Sequence, residues 1–465
     1  MGRPSEPCAF FYPSTGPFGR LMARVSGQER LGWRWSGQMG TDTALSSGEV
    51  RMVRDRYDVV VVGGGPAGST AAALTAAHGH SVLLLERESE FGFRIGESLM
   101  PGTYWMFERL GMLEKLRASN FPRKHSVQFY GGSGRASAPF YFSDVNPHES
   151  SVTWQVLRSE FDQMMLDNAS EKGAEIVQGA TVREVVFDGD RATGIRVQLP
   201  DGSEVVVQAG VVVDASGQSS LIARRMGAKV VEPRLRKASI FTHFENGKRD
   251  SGRDEGATLI LHTAEKDSWF WYIPLQDNRV SVGVVGDLGY LIQDRKESAQ
   301  EIFNAELMKC FPMEERLADA TQVYPVKVTS EFSYRSRKLA GPGWVLLGDA
   351  FGFLDPVYSS GVFLALKSGE MAADAIHEGF AKGDLSAEQL GGWGAEFLTG
   401  MESVRKIVYA FYDKGFSFAS FLKQNPECLQ GVIDILSGNI YDRDVTSIFQ
   451  PMALMCDLPA ESTWE

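Results

Sequence analysis

Two groups of residues in this 465-residue chain have types and spacing suited to chemistry. The tighter group is Gly63-Gly64-Gly65-Pro66-Ala67-Gly68, a G-x-G-x-x-G run that closes one apolar stretch and opens a small-residue helical pattern. In that setting Gly63 permits a tight turn, Gly65 lets a pyrophosphate approach the backbone, Pro66 and Ala67 start the helix, and Gly68 allows close helix–strand packing. Glu86, followed by Arg87, ends the next apolar run roughly 20 residues on, where an acid accepts from the hydroxyls of an adenosine ribose. A glycine pattern alone is a weak signal, but strand before, helix after and terminal acid are the context it requires. These residues leave NAD and FAD open. The looser group is Asp214 and Gly348-Asp349, acids at or just after the ends of apolar strands. An apolar strand ending on an acid faces a ligand in an open α/β sheet.

The elements that must position these residues follow from periodicity. Val59–Val62 and Val82–Leu85 are buried strands around a helix from Ala71 to Ala77, a β-α-β unit. A helix is expected from about Gly102 to Arg117, with Ser98 or its neighbours in the loop before it, close to the dinucleotide. Ser126–Tyr130 and 139–143 read as short strands of a different sheet. A helix over 159–172 precedes a hairpin turning at Asp188-Gly189-Asp190, and 205–213 is a buried strand running into Asp214. The segments 240–244, 258–262, 268–274 and 280–285 read as an inserted antiparallel sheet. Strand 344–347 reaches Gly348-Asp349, a helix runs from near Gly361 to about His377, and helices dominate after Leu385, where an aromatic stripe reads as core or substrate-side cap.

Composition narrows the class. The chain is 43% hydrophobic and 23% charged, ordinary for a globular enzyme. Its 47 basic and 59 acidic residues give a net charge of −12, which argues against nucleic acid or an anionic membrane surface as partner. Cys8, Cys310, Cys428 and Cys456 lie far apart, so neither a disulfide framework nor a zinc site is expected, and the compartment reads as reducing, the cytoplasm. No apolar run approaches the ~18 residues of a spanning helix. Residues 1–55 lack apolar periodicity and read as an extension outside the fold, either a disordered tail or sequence upstream of a start at Met39 or Met52.

In order along the chain, the glycine loop with Glu86, then Arg158, Asp214-Ala215-Ser216-Gly217 and Gly348-Asp349, resemble the FAD-binding pattern of p-hydroxybenzoate hydroxylase-like monooxygenases, geranylgeranyl reductases and flavin-dependent halogenases. Trp269-Phe270-Trp271-Tyr272-Ile273-Pro274 resembles the W-x-W-x-I-P motif of the halogenases, and the run Phe353 to Gly361 resembles their F-x-x-P-x-x-S-x-G motif. Lys124 stands where they carry a lysine between flavin and substrate. The resemblance spans Tyr57 to about Ser420 and is closest to halogenases of phenolic, pyrrolic or carrier-tethered substrates.

The resemblance implies an α/β fold with a Rossmann-like FAD domain (56–123, 152–230 and 335–380), an inserted mixed or antiparallel substrate-side sheet (124–151 and 231–334) and a C-terminal helical cap (381–465). It implies Lys124, Trp269 and Trp271 as catalytic residues. FAD would be held by Gly63, Gly65, Pro66, Ala67, Gly68, Glu86, Arg87, Ser98, Arg158, Asp214, Gly348, Asp349 and Gly361. Chloride or bromide would bind at Ser359, Ser360 and Gly361, with Phe353, Pro356 and Tyr358 facing the substrate. A separate flavin reductase would supply reduced FAD, and hypohalous acid formed beside it would be directed by Lys124 onto an electron-rich ring. Tyr358 departs from the glutamate of tryptophan halogenases, and G-E-S-L replaces their G-E-A-T, which argues against free tryptophan as substrate. The competing readings are an NAD(P)H-oxidising aromatic hydroxylase, a prenyl-chain saturase, and a non-catalytic flavoprotein that binds a partner.

Overall fold

The computed structural model describes residues 53–441 and 443–461; nearly all of the N-terminal extension lies outside them. The glycine-loop region folds as the periodicity demands. Strands Arg56–Val62 and Val82–Glu86 pair in parallel around the helix Pro66–Ala77, and Glu204–Asp214 pairs in parallel with the first of them. Trp344–Leu346 and Glu175–Gln178 extend this sheet on opposite sides. The strands are buried on both faces, which suits their unbroken Val and Leu runs. The hairpin Thr181–Asp188 and Arg191–Gln198 hangs from the outer half of Glu204–Asp214.

The second sheet is mixed. Its central order is Lys237–Glu245, Arg279–Asp287, Ser268–Pro274, Thr258–His262, Ser126–Tyr130, antiparallel except for the last pair. Alternation along Ser268–Pro274 divides the molecule: Trp269, Trp271 and Ile273 join the large core shared with the first sheet, while Phe270 and Tyr272 join a smaller core. That smaller core includes Phe303 of the helix Ala299–Leu307, which starts at a Ser298/Glu301 capping box not anticipated from the sequence.

Boundaries differ where a turn intervenes. The single helix expected over 102–117 is two, Thr103–Leu110 and Leu113–Ala118, because Gly111 at φ 71° takes the left-handed conformation that ends the first. The helix expected to begin near Gly361 is Ser360–Lys382, and the C-terminal region is helical from Gly394–Tyr412 onward. Among the described residues no helix is long and apolar enough to cross a membrane.

Candidate active site

A cavity of about 560 Å³ opens between the two sheets. Gly63, Gly65, Pro66, Ala67, Glu86 and Arg87 line it from the β-α-β unit; Ser98, Arg158 and Asp349 join them, and so do Phe353, Pro356, Ser359, Gly361 and Trp271. Gly63 adopts φ 107°, and a Cβ there would stand 2.3 Å from the Ala215 carbonyl oxygen. Gly68 packs as tightly, its absent Cβ lying 1.9 Å from the Gly63 oxygen. A Cβ at Gly65 would meet no described residue within 4 Å, so the turn leaves open space where a pyrophosphate needs it.

The carboxylates divide by what already occupies them. Glu86 accepts from the Gly64 N–H at 2.7 Å and from the Glu88 N–H at 2.9 Å, which orients it at the cavity wall. Asp349 has no hydrogen bond to its carboxylate among the described residues; its desolvated setting pushes it up to about 6, with Arg158 and Lys229 pulling the other way. It is a free acceptor at the wall, which suits the hydroxyl chain of FAD. Asp214 does not line the cavity. Its carboxylate is fully buried, accepts from the Ser216 and Ile222 N–H groups, and reaches the backbone rather than the cavity. Arg158 is clamped bidentately by Asp162 and holds the Ile95 carbonyl, bracing the loop before Ser98.

Lys124 is not a surface lysine. It is 3% exposed, and its Nζ donates to Ser98 Oγ and to the Leu99 carbonyl, both at 2.9 Å. The strand Arg123–Lys124 pairs with Thr153–Trp154, and Phe142 lies 5.5 Å from the ammonium. With no carboxylate paired to it among the described residues, burial pushes the amine down to about 7. Lys124 stands behind the cavity wall, joined to it through Ser98, whose hydroxyl also bonds Thr258 at 2.7 Å.

Four other expected site residues stand back from the cavity. Trp269 bonds Tyr412, Tyr358 is buried against Phe411 with its hydroxyl toward the Ile407 carbonyl, and Gly348 packs on Ala67 and Ala365. Ser360 is buried at the start of its helix. Residues one or two positions along reach the wall instead: Trp271 for Trp269, Ser359 for Tyr358, Asp349 for Gly348 and Gly361 for Ser360. One feature was missed. Glu97 lines the cavity and meets His243 at 2.6 Å, both groups fully buried; Glu97 adjoins Ser98 in sequence, but no local pattern points from it to a strand 146 residues away.

Set beside known proteins, residues 58–152 and 143–417 match the family model described as tryptophan halogenase. The chain belongs to the flavin-dependent halogenases. It is 32% identical over 401 residues to the 1H-pyrrole-2-carbonyl-[peptidyl-carrier protein] brominase of Pseudoalteromonas luteoviolacea, covering 83% of this chain and 93% of that one. The corresponding chlorinase of Pseudomonas fluorescens is 29% identical over 406 residues, covering 83% and 90%. The solved myxobacterial chondrochloren halogenase CndH superposes with a TM-score of 0.73 at 30% identity, covering 86% of this chain and 97% of the other. The halogenase is therefore an FAD-dependent enzyme of the Rossmann-like class, using a halide ion. Open space at Gly65 and the free Asp349 carboxylate fit that cofactor.

Proposed function

We propose that this enzyme halogenates an electron-rich ring, a pyrrole or phenol presented on a carrier protein, with Lys124 directing the halogen. The observation that carries the reading is the sequestered lysine: a near-neutral amine one hydroxyl away from the flavin cavity but outside it. When bound, reduced FAD supplies the oxygen-activating chemistry, and a separate flavin reductase supplies the reduced cofactor. Gly63 to Gly68 and Glu86 would hold the adenosine and pyrophosphate half of FAD, and Asp349 would accept from the ribityl hydroxyls. The discontinuous segments 56–123, 152–230 and 335–380 form the cofactor unit, with 124–151 and 231–334 as the substrate side and 381–465 as its helical cap.

The halide is held at the start of the helix Ser360–Lys382. Ser359 gives no side-chain cap to that helix, so its first N–H groups are available to an anion. Lys124, uncharged at neutral pH in a useful fraction of molecules, takes halogen from hypohalous acid as a nucleophilic amine, the halogen–oxygen bond breaking and the oxygen leaving as water with the amine proton, or donates a hydrogen bond to the oxidant. Ser98 holds it toward the cavity. Enclosure confers selectivity, since an oxidant confined beside one carbon reacts there rather than at random.

The carrier-tethered pyrrole is favoured because two relatives act on pyrrole carried by a peptidyl-carrier protein, and because Tyr358 puts no carboxylate in the motif position. The deciding experiment incubates the protein with FAD, a flavin reductase, NADH and bromide or chloride. Free and carrier-loaded pyrroles, phenols and indoles are offered, and products are read by mass spectrometry. Single-position halogenation of free tryptophan with no product from any pyrrole or phenol would overturn the substrate reading.

A further inference from the structure

We propose that Tyr412 is a positioning residue for the segment 355–361, holding it through Asp355 while being held itself by Trp269. The inference rests on the reading that this segment presents the halide. Trp269 Nε1 donates to Tyr412 Oη at 3.0 Å, Tyr412 Oη donates to Asp355 Oδ2 at 2.9 Å, and Asp355 Oδ1 accepts from the Val357 N–H at 3.0 Å. The chain of bonds joins a strand of the second sheet, the last residue of the helix Gly394–Tyr412 and the loop that ends at Gly361.

Three features separate this from ordinary packing. Asp355 is 1% exposed and Trp269 2% exposed, and neither lines the cavity. Burying a carboxyl and a hydroxyl costs free energy that apolar side chains at the same places would not incur, so what the polar chain adds is a single geometry. That geometry is needed locally: the Asp355–Val357 bond fixes the backbone two residues before Ser359, a non-glycine residue at φ 59° that neighbouring structure must hold. Lys237 lies over the Tyr412 ring at 3.9 Å and pairs with Asp287, so the tyrosine is itself pinned from the second sheet. Trp269, one of the two motif tryptophans, therefore acts on the halide loop through Tyr412 rather than by touching flavin.

Tyr412→Phe removes only the hydroxyl. In the apoprotein, hydrogen exchange of the Val357 amide should accelerate about five- to ten-fold, the loss of one buried hydrogen bond. In the FAD-loaded enzyme the halide KM should rise by a similar factor of about five, with kcat and FAD affinity within about two-fold of wild type. Trp269→Phe should shift both readouts in the same direction by less. If Tyr412→Phe does not fold, Asp355→Asn, which keeps the shape and loses one acceptor, takes its place with the same expectations. Exchange at Val357 unchanged from wild type would overturn the proposal. Gly361→Ala, whose methyl would crowd Phe353 at 2.9 Å, reports on the halide reading separately. If Gly361→Ala raises the halide KM and Tyr412→Phe does not, the positioning role alone fails; if neither does, the halide is not bound by this loop.

Discussion

Replacing Lys124 by methionine should stop halogenation and make the protein more stable, a pairing that a solvated lysine would not produce. Burial moves the amine from 10.5 to about 7. A displacement of that size corresponds to about 5 kcal/mol against folding at and below about pH 7, where the folded state must also hold the proton. Methionine matches the length of the stem and removes the ionisable group, leaving the Leu99 carbonyl without its donor at a cost of about 1–3 kcal/mol. The net gain at neutral pH is then about 2–4 kcal/mol.

The pH dependence gives the sign. Below about 7 both folded and unfolded wild type hold the proton, so the penalty is full and constant. Between about 7 and 10.5 the folded state has released it and the unfolded state has not, so wild-type stability rises with pH relative to the variant. Urea unfolding of both apoproteins at pH 7, 8 and 9 should show the difference closing by about 1.4 kcal/mol per pH unit. The same preparations, loaded with FAD and fed reduced flavin, should oxidise it equally fast, with halogenated product only from wild type. A stability difference that stays flat across this range, or a variant that halogenates normally, would refute the burial argument and the catalytic role respectively.

Gly65→Val should still fold as apoprotein, because no described residue lies within 4 Å of an added Cβ, yet lose FAD absorbance; a yellow variant at wild-type stoichiometry would show the pyrophosphate to lie elsewhere. Ser98→Ala removes the hydroxyl between Lys124 and the cavity, so a scavenger of hypohalous acid should capture more escaped oxidant while flavin oxidation continues. Ser98→Thr should restore much of the coupling, and equal escape from both variants would separate Ser98 from the lysine. The purified protein alone should oxidise NADH or NADPH only slowly, since the chain carries one glycine fingerprint; rapid oxidation would point to a built-in nicotinamide site.

What the sequence determined by itself was local. The turn at Gly63 to Gly68, the strands on either side and the strand through Trp269 to Pro274 are set by backbone sterics and side-chain period within a few residues, and the structure reproduces each. Family motifs added the cofactor, because their order along the chain survives even where contacts are distant. Only the tertiary structure decided what the marked residues touch. Asp214 ends its strand as expected but turns onto its own backbone amides, and Tyr358 packs into the core. Trp269 points to a tyrosine 143 residues later, on a helix whose aromatic stripe read as core or substrate-side cap but named no partner for it. Lys124 became chemically distinct because Ser98, Leu99 and Phe142 enclose it without supplying a negative charge. Desolvation and hydrogen-bond partners come from whichever segments the fold brings near, so spacing along the chain can name the lysine but cannot lower its pKa.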